Sequence, residues 1–366
     1  MARTLLASGY GNEIVSISFD PSTASLSSLG TTSVADAPTW VARHPNSSVV
    51  YTGAEFHEPN GVLHAFALGA EGALTSLGTA ESGAGPVHLA ISKDRRHLYT
   101  ANYASGSLST VELDSEGRFV EGSTDTLTFK GTGPNRARQE QSHIHGVYVD
   151  PTGHYLLATD LGTDVLRVFD ISSGKPSALP SVSLPAGYGP RHLIISPPDA
   201  RSSRTLVYLI EELSNTIAVF EVEYPSAKQA AFNLKEIQRE VSVLPPNAKD
   251  TPGDWTAAEL ALSPSGAFLY ATSRSPVDNP APFDTLAVFP VGADGALLGA
   301  HAKYINLGGT GPRHFALSPE GKYLAVALER TSEVVVFEVL EGREDELREV
   351  GRLKGVKQPT CVVWLP

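Results

Sequence analysis

The chain reads as an all-β protein, a seven-bladed β-propeller, and three observations predict it. One sequence block recurs along the whole chain, each copy is built from short β-rich runs, and the two chain ends supply complementary pieces of one further copy.

The block is fullest in Gly311-Pro-Arg-His-Phe-Ala-Leu-Ser-Pro-Glu-Gly-Lys-Tyr323. It returns as Gly189-Pro-Arg-His-Leu-Ile-Ile-Ser-Pro197, Gly85-Pro-Val-His-Leu-Ala-Ile-Ser92 and Thr256-Ala-Ala-Glu-Leu-Ala-Leu-Ser-Pro264. Ser142-His-Ile-His-Gly-Val-Tyr-Val-Asp-Pro151 and Ala37-Pro-Thr-Trp-Val-Ala-Arg-His-Pro45 fit the same frame. Taking the fourth residue of each as an anchor gives Trp40, His88, His145, His192, Glu259 and His314. A period of roughly 40–50 residues, lengthened by loop insertions, is that of a propeller blade.

Each copy has the same internal order. A short apolar run ends at a Ser-Pro-x-Gly or Asp-Pro-x-Gly turn, and a second run such as His97-Leu-Tyr-Thr-Ala101 or Phe268-Leu-Tyr-Ala-Thr272 follows. A β-branched run closing on Phe comes third, as in Thr216-Ile-Ala-Val-Phe220, Thr285-Leu-Ala-Val-Phe289 and Glu333-Val-Val-Val-Phe337. Short Val/Ile/Phe runs bounded by Gly and Pro are strands, and continuous apolarity marks strands buried on both faces.

At the C-terminus, Gln358-Pro-Thr-Cys-Val-Val-Trp-Leu-Pro366 copies only the opening strand, with Cys361 at the anchor. At the N-terminus, Arg3–Gly9 and Asn12–Phe19 copy the second and third strands without an opening one. The termini are therefore expected to share the last blade, which closes the circle and leaves no free sheet edge. No linker divides the chain, so residues 1–366 are read as one domain. The insertion from Arg239 to Trp255 is expected as a loop over a binding face.

Composition narrows the function. Lys and Arg number 28 against 40 Asp and Glu, a net charge of −12, which argues against nucleic acid or an anionic membrane as partner. A small anionic substrate is compatible if basic groups are gathered locally. The single cysteine, Cys361, excludes an internal disulfide, and no Cys/His grouping has zinc-finger spacing. The start, Met1-Ala-Arg-Thr-Leu-Leu-Ala7, turns polar too soon for a secretory segment, so a cytosolic location is expected. Phosphate-loop, Gly-x-Ser-x-Gly and His-Glu-x-x-His signatures are absent from the sequence, and no cofactor is expected.

In a propeller the opening strands line a central channel, which draws His143, His145, Arg191, His192, Arg313 and His314 toward one axis. His143 and His145, two apart on a strand, would point the same way. Aligning the units on the terminal Phe of the third run puts Glu212, Arg274 and Glu329 in register, with Asp160 and Glu211 one step earlier. Repeat architecture by itself accounts for His88, His192, His314 and Arg313, the histidines bonding a neighbouring blade's backbone. His145 departs from the repeat, followed by Gly146 and doubled by His143; Arg274 departs through the preceding Ser273. Glu212 equally suits a plain salt bridge, and a His143/His145/Glu212 metal set has no specific spacing.

Together, Ser142-His-Ile-His-Gly146, Gly189-Pro-Arg-His192, Glu212-Leu-Ser-Asn215 and Leu269-Tyr-Ala-Thr-Ser-Arg274 resemble the seven-bladed lactonase family over essentially the whole chain. That family includes propeller-type 6-phosphogluconolactonases and fungal 3-carboxy-cis,cis-muconate lactonizing enzymes. The resemblance implies a metal-free site at one channel end, on His145, Arg191, Glu212 and Arg274. Arg191 is followed by His192 as in the phosphogluconolactonases, whereas the Ile-His-Gly block leans toward the cyclases. The expected activity is hydrolytic opening of a small carboxylated or phosphorylated sugar-acid lactone. His145 would transfer the proton with Glu212 orienting it or sharing that role, and Arg191, Arg274, His143 and His192 would bind substrate. The alternatives are a muconate-type cycloisomerase and, in another class, a non-catalytic interaction platform.

Overall fold

Seven four-stranded antiparallel sheets surround one axis in the computed structural model of the protein, which describes residues 2–366 except 199–202, 227–228, 230, 247, 249–254 and 277–283. Blade 1 orders Pro359–Trp364, Arg3–Gly9, Glu13–Asp20 and Ser25–Ser33 from the axis outward. The innermost strands of blades 2 to 7 are Pro38–Arg43, Pro86–Ile91, Ile144–Val149, Pro190–Ser196, Thr256–Leu262 and Pro312–Leu317. Their second strands are Val49–Ala54, His97–Asn102, Tyr155–Asp160, Thr205–Glu211, Phe268–Arg274 and Tyr323–Leu328. Blade 1 is the expected joint blade, with Cys361 opposite Ser8 across the two chain ends.

The core is divided into separate clusters, one between each pair of neighbouring blades. Leu5, Ala7 and Ile17 of blade 1 pack on Ala325 and Val336 of blade 7, and Leu6 and Ile14 pack on Val50 and Phe66 of blade 2. Arg3–Gly9 and Glu13–Asp20 are thus apolar on both faces, as their continuous runs required. Neighbours are also latched by a tyrosine of the second strand. Tyr99 Oη donates to Gly174 O (2.9 Å), Tyr208 Oη to Gly295 O (3.0 Å) and Tyr270 Oη to Glu344 O (2.6 Å), each in the following blade. The Ser/Asp-Pro-x-Gly turn works by local capping: Asp150 Oδ1 accepts the amides of Gly153, His154 and Tyr155, while Gly153 takes φ +81°.

One irregularity shapes the channel. In every blade the pairing of innermost and second strands slips by a bulge near its start, as between Pro190 and His192, Pro312 and His314, Ile144 and Gly146, or, after two paired residues, Ala257 and Leu260. The register corrects one anchor. Gly146, not His145, is the counterpart of His88, His192 and His314, and His145 is the bulged residue equivalent to Arg191 and Arg313. Counted back from its Asp150-Pro151 turn, as His192 is from Ser196-Pro197, the floor position falls on Gly146, one residue after the histidine. Tyr148 occupies the space at Gly146, where an added Cβ would lie 2.7 Å from its hydroxyl.

In the expected loop from Arg239 to Trp255, residues up to Ser242 continue the outer strand Asn233–Ser242, and 247 and 249–254 lie outside the described residues. Short 3-10 turns at Ala70–Gly72 and Gly299–His301 are the helical pieces among the described residues, and none is long and apolar enough to cross a membrane.

Tyr208→Phe should weaken the blade 5 to blade 6 joint by about 1–2 kcal/mol, since it strips a buried carbonyl of its donor. Urea unfolding should show the midpoint falling with the slope unchanged.

Candidate active site

The repeat stacks three tiers of side chains along the axis. The floor consists of Cys361, Trp40, His88, Gly146, His192, Glu259 and His314, and the bulge residues above it include Thr39, His145, Arg191 and Arg313. At the mouth stands the residue just past the second strand, or in blade 6 the strand's last residue, Arg274, which pairs with Thr256. Outside blade 6 that residue's amide closes on the residue before the opening strand, as Glu212 N–H does on Gly189 O (2.7 Å) and Glu329 N–H on Gly311 O (2.8 Å). Tyr10, Glu55 and Tyr103 make the same bond in blades 1, 2 and 3. The expected register of Glu212, Arg274 and Glu329 therefore holds, and it extends to Tyr10, Glu55 and Tyr103, which sequence reasoning missed. Carrying the same repeat position through every unit would have found them.

Four expected site residues meet here. Glu212, 1% exposed, receives Arg191 Nη1 at 2.8 Å on Oε2 and Arg274 Nη2 at 3.1 Å on Oε1. Arg191 also donates Nε–H to Ala258 O (2.9 Å) and places Nη1 against His145 Nε2. Arg191 thus stands between His145 and Glu212, so any orientation of the histidine by the glutamate runs through a guanidinium. A third arginine, Arg138, reaches Glu212 Oε1 at 2.7 Å with its side chain 35% exposed. It was missed because it belongs to a connection outside the repeat. Gln139 fixes that connection by donating to Leu161 O (2.9 Å) and Asp164 Oδ1 (2.8 Å).

The electrostatics follow from burial and neighbours. Burial pulls the Glu212 carboxyl upward, but Arg274, Arg138 and Arg191 together outweigh it and hold it well below the usual carboxylate range. Burial, with Arg191 and His192 adding to it, holds His145 well below the usual imidazole range and therefore neutral. Because its Nε2 accepts from Arg191, His145 carries its proton on Nδ1, which is buried without a partner among the described residues. Glu55 is raised by burial, against the pull of Arg313. Arg313 pairs with Glu329 at 3.2 Å and stacks 5.2 Å over Tyr10. Between these groups a cavity of about 20 Å³ is bounded by His145, Arg191, His192, Arg313, Glu55 and Trp40.

The other expected residues divide. His143 does not point with His145, because the bulge separates them. It stacks on Tyr103 at 4.2 Å, with Nδ1 on Tyr103 O (2.8 Å) and Nε2 on Glu140 (3.1 Å). His88 and His314 bond the next blade's backbone as the repeat reading expected, through Val147 N–H (3.3 Å) and Val362 N–H (3.2 Å). His192 does not; its Nδ1 lies 2.9 Å from Glu259 Oε2. Asp160 and Glu211 take Arg167 (2.6 Å) and Arg239 (3.2 Å) within their own blades. Among the described residues no three His, Cys, Asp or Glu side chains are grouped to hold a metal. A wider cleft of about 590 Å³, lined by His44, Asp94, Arg95 and His97, opens between the first hairpins of blades 2 and 3, at the opposite strand ends.

The model of the 7-bladed β-propeller lactonase family matches residues 4–364. The chain belongs to that family. It is an enzyme, a lactonase, and the platform alternative falls with that membership. It is 28% identical over 355 residues to the "Probable 6-phosphogluconolactonase" of Arthroderma benhamiae, covering 96% of this chain and 86% of the relative. To the 6-phosphogluconolactonase of Bacillus subtilis it is 28% identical over 336 residues, covering 90% and 87%. The crystal structure of a candidate 6-phosphogluconolactonase from Bacteroides fragilis superposes with a TM-score of 0.82 at 30% identity, covering 100% of this chain and 98% of the other.

Glu212→Gln in this lactonase leaves three guanidiniums around a neutral amide and should cost about 3–5 kcal/mol at neutral pH. Because the folded-state pKa of Glu212 is depressed, its stabilisation is complete above the ordinary carboxylate range and is lost as pH falls through the folded value. The difference between wild type and variant should therefore shrink in acid, as unfolding curves at neutral and acid pH would record.

Proposed function

We propose that the protein hydrolyses a small acidic lactone of the carboxylated or phosphorylated sugar-acid type, in the cytosol and without a metal. One observation carries the reading: Arg138, Arg191, Arg274 and Arg313 gather at one channel mouth of a protein whose net charge is −12. Guanidiniums hold carboxylate or phosphate through paired N–H donors, which suits the substrates named for the 6-phosphogluconolactonase relatives.

In this reading the arginines seat the anionic tail and face the carbonyl oxygen as it gains charge. Glu212 acts by holding three guanidiniums in fixed directions. Its own depressed pKa makes it a poor proton acceptor. His145, neutral and protonated at Nδ1, donates to the developing oxyanion, a role preorganised by the Arg191 contact at its other nitrogen. His143, with both ring nitrogens bonded within the protein, supports the wall through Tyr103 rather than touching substrate. Metal independence is consistent with donors already spent on each other, His145 on Arg191 and His143 on Glu140.

The test is turnover of 6-phosphogluconolactone, unphosphorylated sugar lactones and muconates, with and without chelator. Acid release from a lactone at the same rate in chelator is expected; loss with chelator would overturn metal independence. Muconate cyclisation without lactone opening would replace the hydrolase by the cycloisomerase. His145→Ala should lower kcat by about 10²–10³, the usual effect of removing one oxyanion donor. Arg274→Lys should chiefly raise KM, since an ammonium cannot reproduce the paired donors, and initial rates over substrate concentration separate the two effects.

A further inference from the structure

The lactone-hydrolase reading, on which this inference rests, needs a group that takes a proton from water. His145 has its Nε2 lone pair engaged by Arg191, and Glu212 is a weak base among three guanidiniums. We infer that the general base is His192, set in its reactive tautomer by the buried carboxylate of Glu259, which acts as a positioning residue.

In the floor tier His88 and His314 obey the repeat. Each Nδ1 accepts an amide proton from the next blade, Val147 N–H and Val362 N–H, so each ring proton sits on Nε2. The equivalent amide for His192 is that of Leu260, which pairs with Ala271 as Val147 does with Ala158. Leu260 N–H instead donates to Glu259 Oε1 at 3.0 Å, and His192 Nδ1 turns to Glu259 Oε2 at 2.9 Å. His314 Nε2, a donor by the bond at its other nitrogen, stands 3.6 Å from that same oxygen. Donors therefore face both carboxylate oxygens and pull against the burial that raises the Glu259 pKa, which makes Glu259 the acceptor toward His192. The proton of His192 lies on Nδ1 and the lone pair on Nε2, the reverse of His88 and His314. A buried carboxylate fixing one imidazole nitrogen as donor, and so freeing the other as a base, is the logic of acid–imidazole pairs in hydrolases.

The free nitrogen is in the right place. His192 is 2% exposed; burial and the nearby Arg191 hold it well below the usual imidazole range, so it is neutral with a lone pair available, and its Nε2 is buried with no partner among the described residues. With Nδ1 on Glu259, Nε2 is the polar atom His192 brings to the cavity it shares with His145 and Arg191, whose volume of about 20 Å³ has room for about one water. In the reaction Nε2 takes a proton from water while the water oxygen bonds the lactone carbonyl carbon and the carbonyl pair moves to oxygen. As that intermediate collapses, the ring C–O bond breaks. The ring oxygen leaves with the bonding pair and takes the proton back from the imidazolium. One water is consumed and the site is restored.

Two measurements test this. In ¹⁵N-histidine-labelled wild-type protein, long-range proton–nitrogen correlation should give His192 an Nδ1–H tautomer and His88 and His314 the Nε2–H tautomer. An Nε2–H on His192 would overturn the inference without any assay. On a lactone that wild type opens, His192→Asn and Glu259→Gln should lower kcat by about 10²-fold or more, with KM within about threefold. His88→Asn, in the same tier, should retain turnover. A folded His192→Asn with wild-type kcat would overturn the inference alone. A wild type that opens no lactone would remove the underlying reading and this one with it.

Discussion

The bulge near the start of every innermost strand is the constraint on which the site depends. A regular strand would turn alternate residues away from the axis. One extra residue lets two successive side chains, such as Arg191 and His192, both face it. The channel thereby acquires a charged tier resting on a floor of aromatic and imidazole groups instead of one apolar plug. Trp40, with His88 at 4.2 Å, His314 at 4.8 Å and His192 at 5.4 Å, fills the centre of that floor.

Charge burial would be costly here without mutual compensation. Arg191 and Glu212 are 3% and 1% exposed, and neither is tolerable alone away from water. Their contacts come from blades 4, 5 and 6 and from the connection carrying Arg138, so the closed circle of blades holds the cluster in shape. The cores between blades and the tyrosine latches give that circle its rigidity. Donors fixed before substrate arrives need no reorganisation when charge develops, which is the physical basis of their catalytic value.

Much of this was legible from residues alone. Short Val/Phe runs, the Ser-Pro-x-Gly turns and the split blade at the termini follow from local propensity and repetition, and the alignment on the closing Phe put Glu212, Arg274 and Glu329 at one level. Two placements went astray. His145 was aligned with His192, although counting back from Asp150-Pro151, as from Ser196-Pro197, puts Gly146 at that position. Arg138 was overlooked because its connection belongs to no repeat and is held by Gln139, a residue whose burial nothing in the sequence signals.

The sequence by itself determined the blade count, the closure of the ends and the family, because these rest on period and on residue types that recur. Tertiary structure decided the chemistry of equivalent residues. His88, His192 and His314 occupy one repeat position, yet two accept a neighbour's amide and the third faces a carboxylate. The difference lies in the adjoining blade, where Glu259 takes the Leu260 amide for itself. A ring proton goes where the surrounding donors and acceptors send it, and those groups come from chain segments that meet only when the circle closes.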